Sequence, residues 1–238
     1  SGFGTSVAIG SGPWKFNSWA KGDRIDLEKN PSYRNFGKLA KNSGAPYMDG
    51  LIIKVVPEPQ ARLAALKTGE VHVAEPPFDD VPAIKDSGDL EIIVAENTGQ
   101  NVFWEFAVHR PPFNDKRARL AVGHATDPAT AIDLIYGDLS IPEACPVSRG
   151  VFGNDQEFCN KYRPDYDPEK AKALLAEMGF GEDNPLETSM IVWTGGNRQK
   201  LAEIFQAQLA EVNIKAEIEI MDIGSMNARV RQENENKS

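Results

Sequence analysis

The groups from which any chemistry would have to be built are His72, His109 and His124, a TGGNRQK turn at 194–200, Cys145 and Cys159, and scattered acids such as Asp79-Asp80. The histidines fall in different elements without the close spacing of metal ligands, so they read as surface or packed residues and no metal site is expected. No G-x-S-x-G elbow occurs, and Ser11 of GSGP precedes a proline where an elbow would launch a helix, which argues against a serine hydrolase. The glycines of SGFGTSVAIGSGP lack the strand, helix and distal acid that frame a dinucleotide loop. The acid pairs sit where solvation is the default. No catalytic set and no cofactor are expected.

Two features remain open. In TGGNRQK, Gly195, Gly196 and Asn197 lie between an apolar run and a helix start, where free backbone amides could face an anion; the ordinary alternative is a plain strand-to-helix turn. Cys145 and Cys159 bracket a segment rich in Pro, Gly, Asn and Asp, a spacing that suits a local disulfide worth about 3 kcal/mol or else two free thiols. A bridge would favour an extracytoplasmic compartment.

The positioning elements are those of an α/β chain. Trp14, Phe16 and Trp19, then Arg24 to Glu28, flank the breaker Lys21-Gly22-Asp23 and predict a hairpin with one wet face. Residues 51–74 read as strand, helix and strand, with Pro59 in the first helical turn and Gly69 as the stop, a unit that normally makes parallel strands. A short helix at 78–85 and a strand at 90–95 follow, and 102–109, VFWEFAVH, reads as another strand. Asp115, Asp127-Pro128 and Asp167-Pro168 each predict a capped helix, the last two stopped by Gly137 and Gly179. Leu201, Ile204, Phe205, Leu209 and Val212 form a helical stripe, and Ile214, Ala216, Ile218 and Ile220 alternate in the strand after it, completing a βαβ unit. The tail NARVRQENENKS should fray unless it completes a helix. Two α/β blocks join near residue 97, where ENTGQN looks like a crossing point.

With 238 residues, 41% of them hydrophobic, the chain has enough apolar material for one large domain or two small ones. A net charge of -9 with scattered Lys and Arg argues against a nucleic-acid track and suits a cationic solute better than an anionic one.

Four stretches, in order, resemble the bacterial extracellular solute-binding proteins of family 5, which serve dipeptide, oligopeptide and nickel ABC importers. GSGPWKFNSWAKGDRIDLEKNPSY, PYMDGLIIKVVPEPQARLAALKTGEVHVAE, RPPFNDKRARLAVGHATDPATAIDLIYGD and YDPEKAKALLAEMGF carry the resemblance. It implies the two-lobed, type II periplasmic binding protein-like α/β fold, present here as an internal fragment. Residues 1–96 would be part of lobe I and 97–238 part of lobe II, with the hinge crossing near 95–101. It also implies a peptide or similar small solute as ligand, ABC permease subunits as partners, and a periplasmic or extracellular location. The alternatives are ligand presentation or an interaction role on the same scaffold, or a hydrolase.

In peptide-binding members an acidic residue seven positions before the proline of PPF faces the cleft, and counting back from Pro112 reaches Glu105. Many members carry Asn where this chain has Ala107. Phe103, Trp104 and Phe106 alternate around Glu105, so one side could present aromatics to a ligand while the other faces core. A solvated Glu105 is the alternative. The candidate ligand-facing residues are thus Glu105, which the resemblance implies, with Phe103 and Trp104 from the alternation of the run and Gly195, Gly196 and Asn197 from the turn.

Overall fold

At Gly22, which turns the chain with φ +82°, strand β1 (Trp14–Ala20) folds back onto β2 (Arg24–Lys29) in a computed structural model that describes residues 8–35, 42–94 and 101–235. Backbone contacts divide the chain into two units, residues 1–92 and 93–238. The crossing expected at 95–101 lies outside the described residues except for Asn101.

In the first unit, β2 is the central strand, antiparallel both to β1 and to β3 (Gly50–Lys54). The β1–β2 register slips between Phe16 and Ser18, so that Phe16 opposes Leu27 while Trp19 opposes Ile25. One extra residue in a strand of period two returns Trp19 to the face of Phe16. That apolar face continues through Leu51 and Ile53 on β3. Helix α1 (Pro59–Lys67) begins at a proline and buries Leu63. Arg62 reaches back from it, its Nη1 donating to the carbonyls of Val56 at 2.9 Å and Pro57 at 2.8 Å. Helix α2 (Val81–Ser87), entered through a 3₁₀ turn at Phe78–Asp80, buries Val81 and Ile84.

The strand–helix–strand reading of 51–74 is corrected here. The first strand, β3, pairs antiparallel with β2, and 71–74 form no strand: the Val71 amide donates to Ala65 O, and His72 and Val73 are exposed. Residues 90–94 of the strand expected at 90–95 are likewise irregular. Alternating apolar residues make a strand only where another edge accepts their backbone hydrogen bonds, and among the described residues these segments have none.

The second unit is built on repeated caps. Asp115 accepts from the Arg117 amide at the start of α3 (Lys116–Ala125), Asp127 from Ala129 and Thr130 at α4 (Pro128–Tyr136), and Asp167 from Lys170 at α6 (Pro168–Ala176). Asp155 does the same for the short α5 (Gln156–Tyr162). Strand β4 (Leu186–Trp193), helix α7 (Arg198–Ala210) and parallel strand β5 (Ile214–Met221) form the expected βαβ unit, in register from Leu186–Ile214 to Trp193–Met221. Ala118, Ala121 and Ala125 of α3 pack with Ala171 and Leu175 of α6 over Leu186, Leu209, Val212, Ile214 and Ala216. Alanines at that contact let the helices approach closely. The tail completes a helix, α8 (Ile223–Glu235), whose first amides Asp222 accepts and whose Arg229 pairs with Glu219.

The Asp127 carboxyl is held below its usual range chiefly by the Thr130 hydroxyl, with backbone amides and Arg163 adding to the effect against desolvation. A lowered folded-state value means that the ionised cap stabilises the fold above the unfolded pKa, and that this contribution disappears as pH falls through the folded one. Asp127→Ala is therefore expected to lower unfolding free energy by about 1 kcal/mol near neutral pH. Denaturant titrations of both chains should show that difference shrinking at acid pH.

Candidate functional site

The run at 102–109, expected as a strand, is not one: residues 101–107 form no regular structure, and 108–110 turn toward Pro111. No backbone ladder holds it among the described residues, so side chains do. Trp104 meets Phe205 of α7 edge-on, with centroids 6.0 Å apart and planes at 77°, and Phe106 packs on Phe113 at 4.9 Å. Asn101 donates from Nδ2 to the Cys145 carbonyl at 2.8 Å. At the far end, Arg110 contributes to the charge environment of Glu219, whose carboxyl is held low first by Arg229, then by Ser189. A segment pinned this way presents its remaining side chains outward. Phe103 is 55% exposed and Glu105 is also exposed, while Trp104, at 38%, is only partly covered by Phe205.

Without the strand, alternate side chains still divide between a packed side and an open one. Trp104 and Phe106 make the packed contacts, and Phe103 and Glu105 lie open to solvent.

The second candidate stretch lies where β4 gives way to α7. Gly195 and Gly196 take φ +104° and +63°, values a side chain resists, and Asn197 precedes α7 without capping it through its side chain. This turn folds the chain so that Arg198 lies back over Trp193, with the guanidinium carbon 4.4 Å from the ring centroid. One Arg198 nitrogen, Nη1, donates to Gly195 O at 2.6 Å, while Nε is shielded from solvent without a partner among the described residues. A side chain at Gly196 would press within 3.2 Å of Nη1. Tyr136 of α4 lies within reach of this charge: burial pushes its hydroxyl up and Arg198 pulls it partly back.

The two candidate stretches meet on one helix. Trp104 rests on Phe205, and Gly195-Gly196-Asn197 leads into Arg198, seven residues or about 10 Å earlier on α7. Arg198, Trp193, Tyr136 and Asn101 are the additions that the residue pattern did not single out. The available signal was an arginine directly after Gly-Gly-Asn and a tryptophan directly before the turn.

The other chemistry-bearing groups stay apart. His124 is buried, with Nδ1 2.7 Å from Asp165 O, while His72 and His109 are exposed. Among the described residues no group of His, Cys, Asp and Glu is placed to hold a metal, and no helix is long and apolar enough to cross a membrane. The Cys145 and Cys159 sulfurs are bonded at 2.06 Å.

The family model "Bacterial extracellular solute-binding proteins, family 5 Middle" matches residues 3–237. Di/tripeptide-binding protein 2 of Pseudomonas aeruginosa (strain UCBPP-PA14) is 27% identical over 234 residues, which is 95% of this chain and 41% of that protein. Glutathione-binding protein GsiB of Escherichia coli (strain K12) is 26% identical, over 97% of this chain and 43% of its own length. The structure of the periplasmic binding protein DppA from Helicobacter pylori, solved with the peptide STSA, superposes with TM-score 0.75 at 28% identity, over 91% of this chain and 40% of that one. NikZ from Campylobacter jejuni, solved with Ni(L-His), shares the fold at TM-score 0.71 and 22% identity, over 94% of this chain and 45% of that one. The chain thus spans about two fifths of the length of its relatives. The fold class is that of the two-lobed type II periplasmic binding proteins.

The Arg198–Tyr136 proximity gives a direct check. Arg198→Met removes the charge that pulls Tyr136 down, so the Tyr136 pKa should rise. Tyrosinate absorbance against pH, with Tyr136→Phe to assign the signal, reads it; an unmoved titration would place Arg198 elsewhere.

Proposed function

Since this chain belongs to the bacterial extracellular solute-binding proteins of family 5, we propose that it is the middle part of an importer's solute receptor that binds short peptides outside the cytoplasm. The observation that carries this reading is the joint placement of the exposed 103–105 segment and the Gly195–Arg198 turn on α7. Glu105 offers a carboxylate suited to an amine. The Gly195-Gly196-Asn197 turn that opens α7, backed by the Arg198 guanidinium, suits a carboxylate. Phe103 and Trp104 add apolar area that is sequence-tolerant in what it accepts. An α-amine and an α-carboxylate on a short flexible body describe a peptide, the ligand class in the names of the Pseudomonas and Helicobacter relatives.

Binding needs no bond to be broken. A ligand that makes more contacts in one lobe arrangement than in another shifts the population toward it, and a membrane permease can then read the ligand-bound shape. ABC permease subunits are the partners this reading requires.

The test is a thermal-shift and calorimetric screen of the natural protein containing this chain, using di- and tripeptides, glutathione and nickel–histidine chelates. Saturable stabilisation by peptides with no product formed is expected. Glu105→Gln should weaken a peptide with a free amino terminus roughly tenfold and leave an N-acetylated one unchanged. Turnover of the ligand, or stabilisation by the nickel chelate alone, would sink the reading.

A further inference from the structure

Residues 140–162 are tied down in a way that bears on the 101–107 segment. Helix α5 buries none of its seven residues, and a helix of that length has little stability of its own. Its Phe158 and Tyr162 rings contact each other at 4.8 Å but remain 59% and 63% exposed. The covalent link from Cys159 joins it to Cys145, which is buried. Glu143 fixes the backbone there: its Oε1 accepts from the Ala144 amide at 3.0 Å and the Cys145 amide at 3.4 Å, and its Oε2 accepts from Arg149 Nε at 3.2 Å. The carbonyl of that same Cys145 accepts Asn101 Nδ2, from 44 residues earlier in the chain. Asn101 opens the segment that has no ladder of its own.

We propose that Asn101 is a positioning residue through which the Cys145–Cys159 disulfide holds the 101–107 segment, so that the redox state of the sulfurs sets how firmly Trp104 and Glu105 are placed. Its meaning for binding rests on the reading of that segment as ligand-facing, whereas the coupling itself is a property of the fold. A dithiol reductant delivers two electrons and two protons: the S–S bond breaks, both sulfurs become thiols, and the reductant closes to its own disulfide. Released from that bond, α5 no longer holds Gln156 against Glu143 and Arg149, so the brace on the Cys145 backbone loosens as the 14-residue separation between the cysteines regains its chain freedom. The fixed acceptor that Asn101 needs is lost. Trp104 is then held by one aromatic contact.

Fluorine NMR of the full chain labelled with 5-fluorotryptophan reads this directly, with the Trp104 line assigned by its loss in Trp104→Phe. On reduction with a dithiol, that line should move toward the free amino acid position while the Trp14, Trp19 and Trp193 lines stay. Asn101→Asp, which keeps the size but removes the donor, should show the same shift while oxidised, and reduction should add nothing further to it. Asn101→Ala serves equally if the aspartate disturbs the fold by far-ultraviolet dichroism. The Cys145→Ser/Cys159→Ser chain should match the reduced wild type without any reductant. A Trp104 line unmoved by reduction or by loss of the Asn101 donor, or shifts that add, would overturn the proposal. Failure of peptide binding would leave these shifts intact, so the two readings fail separately.

Discussion

Trp104 meeting Phe205 edge-on is the contact on which the placement of the 101–107 segment depends. Phe205 is 5% exposed and anchored in α7, whose Leu209 enters the alanine-lined core. The same helix ties the sheet to α4: Gln206 Nε2 donates to Ala216 O of β5 at 2.6 Å, and Gln208 Oε1 accepts from the Asp127 amide at 3.0 Å. An aromatic edge on a fixed ring is worth about 0.5–1.5 kcal/mol beyond its buried area. That is small against the core, yet it acts on a segment with no strand partner among the described residues. Where backbone pairing is lacking, such side-chain contacts decide which residues face solvent. Glu105 and Phe103 are open because Trp104 and Phe106 are engaged.

What was legible in the residues divides by distance. Asp115, Asp127 and Asp167 announce helix starts because a cap is a contact over two or three residues, and the structure carries each one. The β4–α7–β5 unit was readable for the same reason, since its periodicity is local and its parallel pairing is what a right-sized crossover demands. Strands at 71–74, 90–95 and 102–109 were misread where described because a strand is a relation between two edges, and propensity reports only one of them. Arg198 stacked on Trp193 was not legible at all. The two are five positions apart and meet only because Gly195 and Gly196 adopt backbone angles that no periodicity encodes.

The recognition chemistry follows from restraint. A glycine turn, an arginine stacked on an indole and an aromatic-anchored segment fix donors and acceptors in place, and under the proposed reading this would reduce the ordering that binding must supply. Nothing in this arrangement asks for a nucleophile or a bound metal.

The most direct measurement is a double-mutant cycle at the aromatic contact, using Trp104→Leu, Phe205→Leu and the pair in denaturant unfolding. A coupling of about 0.5–1.5 kcal/mol is expected if Phe205 holds Trp104 in place. Additive effects would contradict it and would detach the 101–107 segment from α7.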